Sequence, residues 1–334
     1  MSPAQLRSSQ LRTPFRGARL RPDEPTETAN TENDVFDESP ASTQSRVLRK
    51  RIARLARAFA TTAPPDYFFC HGTAAVLWGL PLPIRVLRGI LPPETRDTLR
   101  RGQGNAAMRS TGIDVGVLTP GRASRARAVR GRQLSPALAT VCVRDGLLVS
   151  SPASTWAMLA DVLTVDELIE VGDAIVQIPR RRGMQRGDPC DALADIEELT
   201  AAANAPYRRH AHVLRAAVEQ IRIGSASPAE TKVRLACVRA GLPEPELDVD
   251  VYAADGRPIG FTELAYRRFR LLIEYEGDHH RVDREQWQRD VDKHAACVDA
   301  GYEVLRLTAK HVYPSTRPAV ERVRRALFRA GWQG

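Results

Sequence analysis

Leu271-Leu272-Ile273-Glu274-Tyr275-Glu276-Gly277-Asp278-His279-His280-Arg281 is the stretch on which the reading of the C-terminal third turns. Side chains alternate across a strand, so Leu271, Ile273 and Tyr275 take one face and Leu272, Glu274 and Glu276 the other. The spacing predicts a central strand that ends at Gly277 and carries two carboxylates on one face. Two such charges ~4 Å apart repel by about 4 kcal/mol at an effective dielectric of 20. They must be protonated, splayed into water or bridged by a cation.

Working outward, Ser227-Pro228-Ala229-Glu230 combines an N-cap Ser, a Pro in the first turn and a Glu three residues on, which predicts a helix over 228–240 closed by Gly241. Two strand-like runs, 246–252 and 258–265, flank the hairpin signal Asp255-Gly256. A helix over 283–300, a strand over 303–307 and a helix over 317–330 complete an α-β-β-β-α-β-α order. Glu263, on the strand before Glu274 and Glu276, adds a third acid. Asp278, His279 and His280 follow at the same strand end and offer a base or a further ligand. Oxygen donors of this kind suit Mg²⁺ or Mn²⁺ better than zinc, and such an ion activates water for phosphodiester hydrolysis. The spacing alone is equally that of a solvent-facing acidic edge strand.

The runs Thr262-Glu263-Leu264-Ala265-Tyr266, 271–281, Gln286-Trp287-Gln288-Arg289-Asp290-Val291-Asp292-Lys293 and Gly301-Tyr302-Glu303-Val304-Leu305-Arg306-Leu307-Thr308 resemble the endonuclease-domain proteins related to very-short-patch-repair nucleases. These belong to the PD-(D/E)XK restriction-endonuclease-like superfamily. The resemblance covers about 225–330, and its most specific part is the E-x-(D/E)-G-x-x-H block. It implies a mixed sheet flanked by helices, with Glu263, Glu274 and Glu276 as metal carboxylates, His280 as the histidine after the glycine and Asp290 as the helix acid that orients the site. Glu230 matches the family's leading helix Glu, although its capping box is a sufficient explanation. The family usually has Asp at the positions of Glu263 and Glu276, and Arg at that of Lys293. Residues 68–176, notably Phe68-Phe69-Cys70-His71-Gly72-Thr73 and Val143-Arg144-Asp145-Gly146, resemble the region preceding this domain in actinobacterial relatives of type IV abortive-infection antitoxins. The winged-helix start of those relatives is missing. That likeness implies a toxin-like protein partner.

Charge is distributed unevenly over the 334 residues. Residues 1–21 hold five Arg and no acid, and 22–45 hold seven acids and no base, which predicts a disordered, charge-segregated tail or sequence ahead of the true start. Residues 46–224 carry 26 basic and 16 acidic side chains, against 18 and 17 in 225–334. The middle, at +10, therefore holds the excess behind the formal net charge of +9, as expected for a polyanionic partner such as DNA. Only Lys50, Lys232, Lys293 and Lys310 are lysines among 49 basic residues, an excess of Arg that a GC-rich genome also produces.

Within 46–59 an amphipathic helix is predicted, with Leu48, Ile52, Leu55 and Phe59 on its apolar stripe. Arg49, Lys50, Arg54 and Arg57 on its other side, with Arg127, Arg130 and Arg132 on a later strand, are the candidate nucleic-acid contacts. A helix over about 72–78, strands over 112–118, 127–133 and 139–149, and helices opening at Ser151-Pro152 and at the Thr164–Glu167 capping box follow. A further helix is predicted over 204–224. The chain thus divides into a tail (1–45), a basic α+β antitoxin-like domain (46–203), a helical linker (204–224) and an endonuclease-like domain (225–334), α/β (α+β) in class.

Five scattered cysteines without a C-x-x-C pair exclude a disulfide framework and a zinc knuckle. Signal peptide, membrane span, phosphate-binding loop, nucleophile elbow and dinucleotide fingerprint are all absent, so a cytoplasmic protein without a small-molecule cofactor is expected. Two functions remain open at this level: a metal-dependent DNA endonuclease, or a catalytically degenerate nuclease fold that binds DNA or acts as an antitoxin-like regulator.

Overall fold

A computed structural model describes residues 14–18, 20, 40–91, 111–181, 185–276 and 284–334. The class is mixed α and β, with eleven α-helices and two mixed sheets among the described residues. Most of the tail expected over 1–45, and the segment 277–283, lie outside those residues. The described chain forms two compact units: 43–168 with 197–216, and 169–196 with 217–334. The stretch read as a linker, 204–224, is divided between them. Of its single predicted helix only α7 (Ala211–Val218) forms; the preceding α6 (Ile196–Asn204) ends where that helix was expected to begin. Tyr207 and His210, both with positive φ, interrupt the helical path between them.

The first unit is built on a five-stranded sheet in the order β3-β2-β1-β5-β4, from β1 (Tyr67–Phe69), β2 (Ile113–Leu118), β3 (Val129–Leu134), β4 (Val141–Arg144) and β5 (Leu147–Ser150). β2 and β3 run parallel, with Asp114 opposite Arg130 and Gly116 opposite Arg132. The turn Arg144-Asp145-Gly146-Leu147 closes the β4–β5 hairpin, with Asp145 and Gly146 both at positive φ. Helix α1 (Pro40–Ala60) buries Ile52, Ala56 and Phe59, the last stacked on Tyr67 at 6.4 Å between ring centres. Helices α2 (His71–Leu77), α3 (Ile84–Ile90) and α4 (Pro152–Leu159) follow, α4 opened by Ser151, whose side chain accepts from the Ser154 backbone N–H. Trp156 is wholly buried and donates its indole N–H to the Leu168 carbonyl at 2.9 Å. At the start of α5 (Val165–Val176), the Thr164–Glu167 capping box forms with both reciprocal bonds.

The second unit carries the four-stranded sheet β6-β7-β8-β9: β6 (Glu246–Tyr252), β7 (Pro258–Tyr266), β8 (Leu271–Glu276) and β9 (Glu303–Thr308). Before it comes α8 (Pro228–Arg239); α9 (Arg284–Asp299) connects β8 to the parallel β9; α10 (Ala309–Val312) and α11 (Arg317–Arg329) close the chain. The observed order is the α-β-β-β-α-β-α series with the one-turn α10 inserted. β8 is interior, with an apolar cluster against each face. Leu271, Ile273 and Tyr275 pack with Val233 of α8 and Val323 of α11, while Leu272 packs with Val249, Ala265 and Cys297.

Candidate active site

The sheet of the second unit opens at one point. Pairing of β7 with β8 runs Tyr266↔Leu271, Ala265↔Leu272, Leu264↔Ile273 and stops, whereas β8 stays paired to β9 as far as Glu276↔Thr308. Beyond the last β7–β8 pair, side chains replace the ladder. The Thr262 hydroxyl donates to the Ile273 carbonyl at 3.2 Å, and the Glu263 carboxylate accepts the Tyr275 backbone N–H at 2.5 Å. A backbone donor of an interior strand has to find a partner, and this one fixes Glu263 beside Glu274.

Glu263 is held against its own charge. Removal from water raises its pKa well above the ordinary glutamate value, and the Glu230 carboxylate raises it further. The Tyr275 hydrogen bond opposes the shift, Glu274 adds to it, and Lys293 relieves it. Glu230, buried in the first turn of α8, is itself pushed up to about 7, chiefly by burial, even though its carboxylate accepts from the Ala226 N–H at 2.8 Å. The capping role is real: the Glu230 N–H donates to Ser227 Oγ at 3.3 Å. The same residue also faces the acid cluster. Helix α8 is pinned by the buried Asp173, which accepts from Thr231 Oγ1 at 2.8 Å and from Arg234 at 3.0 Å.

Among the described residues, one cation enters this cluster. Lys293, on α9, donates to Glu274 Oε1 at 2.5 Å. Its stem crosses Gly260, where an added Cβ would lie 3.3 Å from the lysine Cε, and its ammonium sits 5.5 Å from the centre of the Phe261 ring.

Of the residues singled out in the sequence, Glu263 and Glu274 are brought together. Glu276 lies on the same strand face but pairs with Arg306 of β9 at 2.9 Å, both side chains partly exposed. Asp290 is on α9, one turn before Lys293, and half-buried. His280, Asp278 and His279 lie outside the described residues. Sequence reasoning matched Glu230 to the family's leading helix Glu but found its capping box a sufficient explanation, and named Lys293 only as standing where Arg is usual. A signal for Lys293 was available, since it is one of four lysines in a chain that otherwise uses arginine. Among the described residues no group of three or more His, Cys, Asp or Glu is placed to hold a metal ion. The donor set that does converge, Glu263 with Glu274, fits Mg²⁺ or Mn²⁺, because Mg²⁺ keeps several waters and is held by one or two carboxylates together with substrate phosphate.

The candidate nucleic-acid residues of the first unit fall into two groups. Lys50, Arg57 and Arg127 are exposed. Arg49 turns inward to the Leu80 carbonyl at 2.7 Å, and Arg54 is half-buried. Arg130 and Arg132 are held by the fully buried Asp114, at 2.8 and 3.4 Å. Both therefore serve the interior of the unit as well as its basic edge.

No described helix is long and apolar enough to cross a membrane. Comparison with known proteins found no matching family model, no matching curated protein and no matching solved structure.

Proposed function

We propose that the second unit is a restriction-endonuclease-like domain that hydrolyses phosphodiester bonds in DNA with a divalent metal ion. The observation that carries this reading is the parting of β7 and β8, where Glu263 and Glu274 converge and, among the described residues, a single ammonium, that of Lys293, meets them. A site that crowds half-buried acids against the buried Glu230 favours a cation.

Glu263 and Glu274 would hold Mg²⁺ or Mn²⁺. When bound, the ion would lower the pKa of a water and neutralise charge developing on the phosphate. Tyr275 N–H orients the Glu263 carboxylate. Lys293 keeps an ammonium at Glu274, where a phosphate oxygen would also be stabilised. Glu230 adds negative charge behind Glu263 and strengthens its preference for a cation. On the family resemblance, His280 assists the attacking water or the leaving group and Asp290 orients the site. The basic first unit supplies the sequence-independent attraction for the DNA backbone.

The engagement of Glu276 by Arg306 favours a second reading, a degenerate nuclease fold that binds DNA without cutting it. A supercoiled-plasmid nicking assay with Mg²⁺, with Mn²⁺ and with EDTA separates the two. Metal-dependent nicking is expected, falling at least about a hundredfold in Glu274→Ala, the scale of losing a charged group from a preorganised site. Retardation of the plasmid without nicking, by wild type and variant alike, selects the second reading.

A further inference from the structure

We infer that Phe261 is a positioning residue whose ring, together with the groove left by Gly260, seats the Lys293 ammonium on Glu274; its catalytic consequence rests on the nuclease reading above. Three independent contacts define the seat. The Gly260 backbone leaves room for the lysine stem, the ring lies 5.5 Å from the ammonium, and the Glu274 carboxylate receives it at 2.5 Å. A cation within about 6 Å of an aromatic centre is attracted by the ring's quadrupole, and a flexible four-carbon stem otherwise keeps many rotamers.

The ring is fixed in turn. The Arg180 guanidinium lies 4.3 Å from its centre and is anchored by Asp248, by Asp250 at 2.7 Å and by the Asp248 carbonyl at 2.9 Å. Residue 180 lies well upstream of the stretch that resembles a nuclease. A segment outside that stretch thus contributes to the order of the site. Phe261 does not touch substrate in this scheme; it restricts where Lys293 places its charge.

Lysine acylation by an N-hydroxysuccinimide ester, read peptide by peptide, tests the seat without any assay of cleavage. With four lysines in the chain, the exposed Lys310 serves as internal reference for Lys293. Slow acylation of Lys293 is expected in the wild type, faster acylation in Phe261→Leu, and the wild-type rate in Phe261→Tyr, which keeps the ring. Should Phe261→Leu fail to fold, Gly260→Ala puts a methyl under the stem and gives the same comparison. Unchanged acylation of Lys293 in the folded variant overturns the seat, whether or not the protein cuts DNA. If the wild type nicks plasmid, Phe261→Leu should lower kcat about tenfold with KM within about twofold, the pattern of a misplaced group felt in the transition state. Wild-type kcat in that variant overturns the positioning role and leaves the nuclease reading standing. Absence of nicking by the wild type removes the nuclease reading, and acylation then decides the seat by itself.

Discussion

Each unit carries an acid on an interior strand, and the two are treated in opposite ways. Asp114, on β2, is fully buried and faces two guanidiniums, Arg130 and Arg132, while its backbone N–H donates to Thr73. Glu263, on β7, faces two further carboxylates, and among the described residues it shares the Lys293 ammonium with Glu274. The first arrangement is complete within the chain. Among the described residues the second has more carboxylates than cations. On the proposed reading, the number of cations around the acid separates Asp114, which holds a fold together, from Glu263, which would hold a metal ion.

The largest effect that would break this contrast is on stability. Asp114→Asn leaves two guanidiniums partly buried without their counter-charge and should cost about 3–5 kcal/mol of unfolding free energy in urea titration. Glu263→Gln removes a repelled charge while keeping the acceptor for Tyr275 N–H, so stability should stay level or rise by about 1 kcal/mol while nicking is lost. Equal destabilisation by the two substitutions would make Glu263 a structural acid and undercut the proposed site.

The local signals of the second unit were legible because each is contained in a few consecutive residues. Ser227-Pro228 with Glu230, the Asp255-Gly256 turn and the alternation in 271–276 all appear as read. Partner choice was not legible, because it depends on register between strands distant in sequence. Asp114 and Arg130 face each other only because β2 and β3 pair in parallel at that offset. Arg306, register partner of Glu274, reaches Glu276 instead and leaves Glu274 to a lysine on a helix. Nothing in the alternation of β8 separates its two glutamates; the end of the β7 pairing does. The same limit explains the basic edge. Arg127, Arg130 and Arg132 read as one set of nucleic-acid contacts, yet the two on β3 are those that Asp114 holds.

A smaller effect follows from His71, beside Asp114. It is buried, its φ is +52°, and its Nδ1 lies 3.9 Å from Asp114 and its Nε2 3.9 Å from Asp161. Burial lowers its pKa from 6.5 to about 4; Arg132 and Arg130 push the same way, and the two aspartates oppose them. The folded imidazole is therefore neutral where the unfolded one takes up a proton. The contribution to stability is full above pH 6.5 and is lost as the pH falls towards 4, by about 2 kcal/mol between pH 7 and 5. Glu230 and Glu263, with raised values, change in the opposite sense over part of the same range. The comparison must be made with His71→Asn, which tolerates positive φ and does not titrate. A larger loss in the wild type than in the variant, measured by urea unfolding at pH 7 and pH 5, is the expected result. Parallel losses would mean that Asp114 and Asp161 keep the ring protonated and that its neutrality plays no part.

The smallest effect sharpens the contrast at the surface. If charge compensation sorts the arginines as it sorts the acids, those held by Asp114 and those exposed to water should answer different assays. Each phosphate contact adds close to one to the slope of log binding constant against log salt. Lys50→Ala, Arg57→Ala and Arg127→Ala should each lower that slope by up to about 1 in plasmid or oligonucleotide binding, with the urea midpoint unmoved. Arg130→Ala should move the midpoint first, because it removes the 2.8 Å partner of a carboxylate that has no access to water. A salt slope indifferent to all three exposed residues would remove the first unit from the DNA interface, and its cations would then be explained by Asp114 and by genome composition alone.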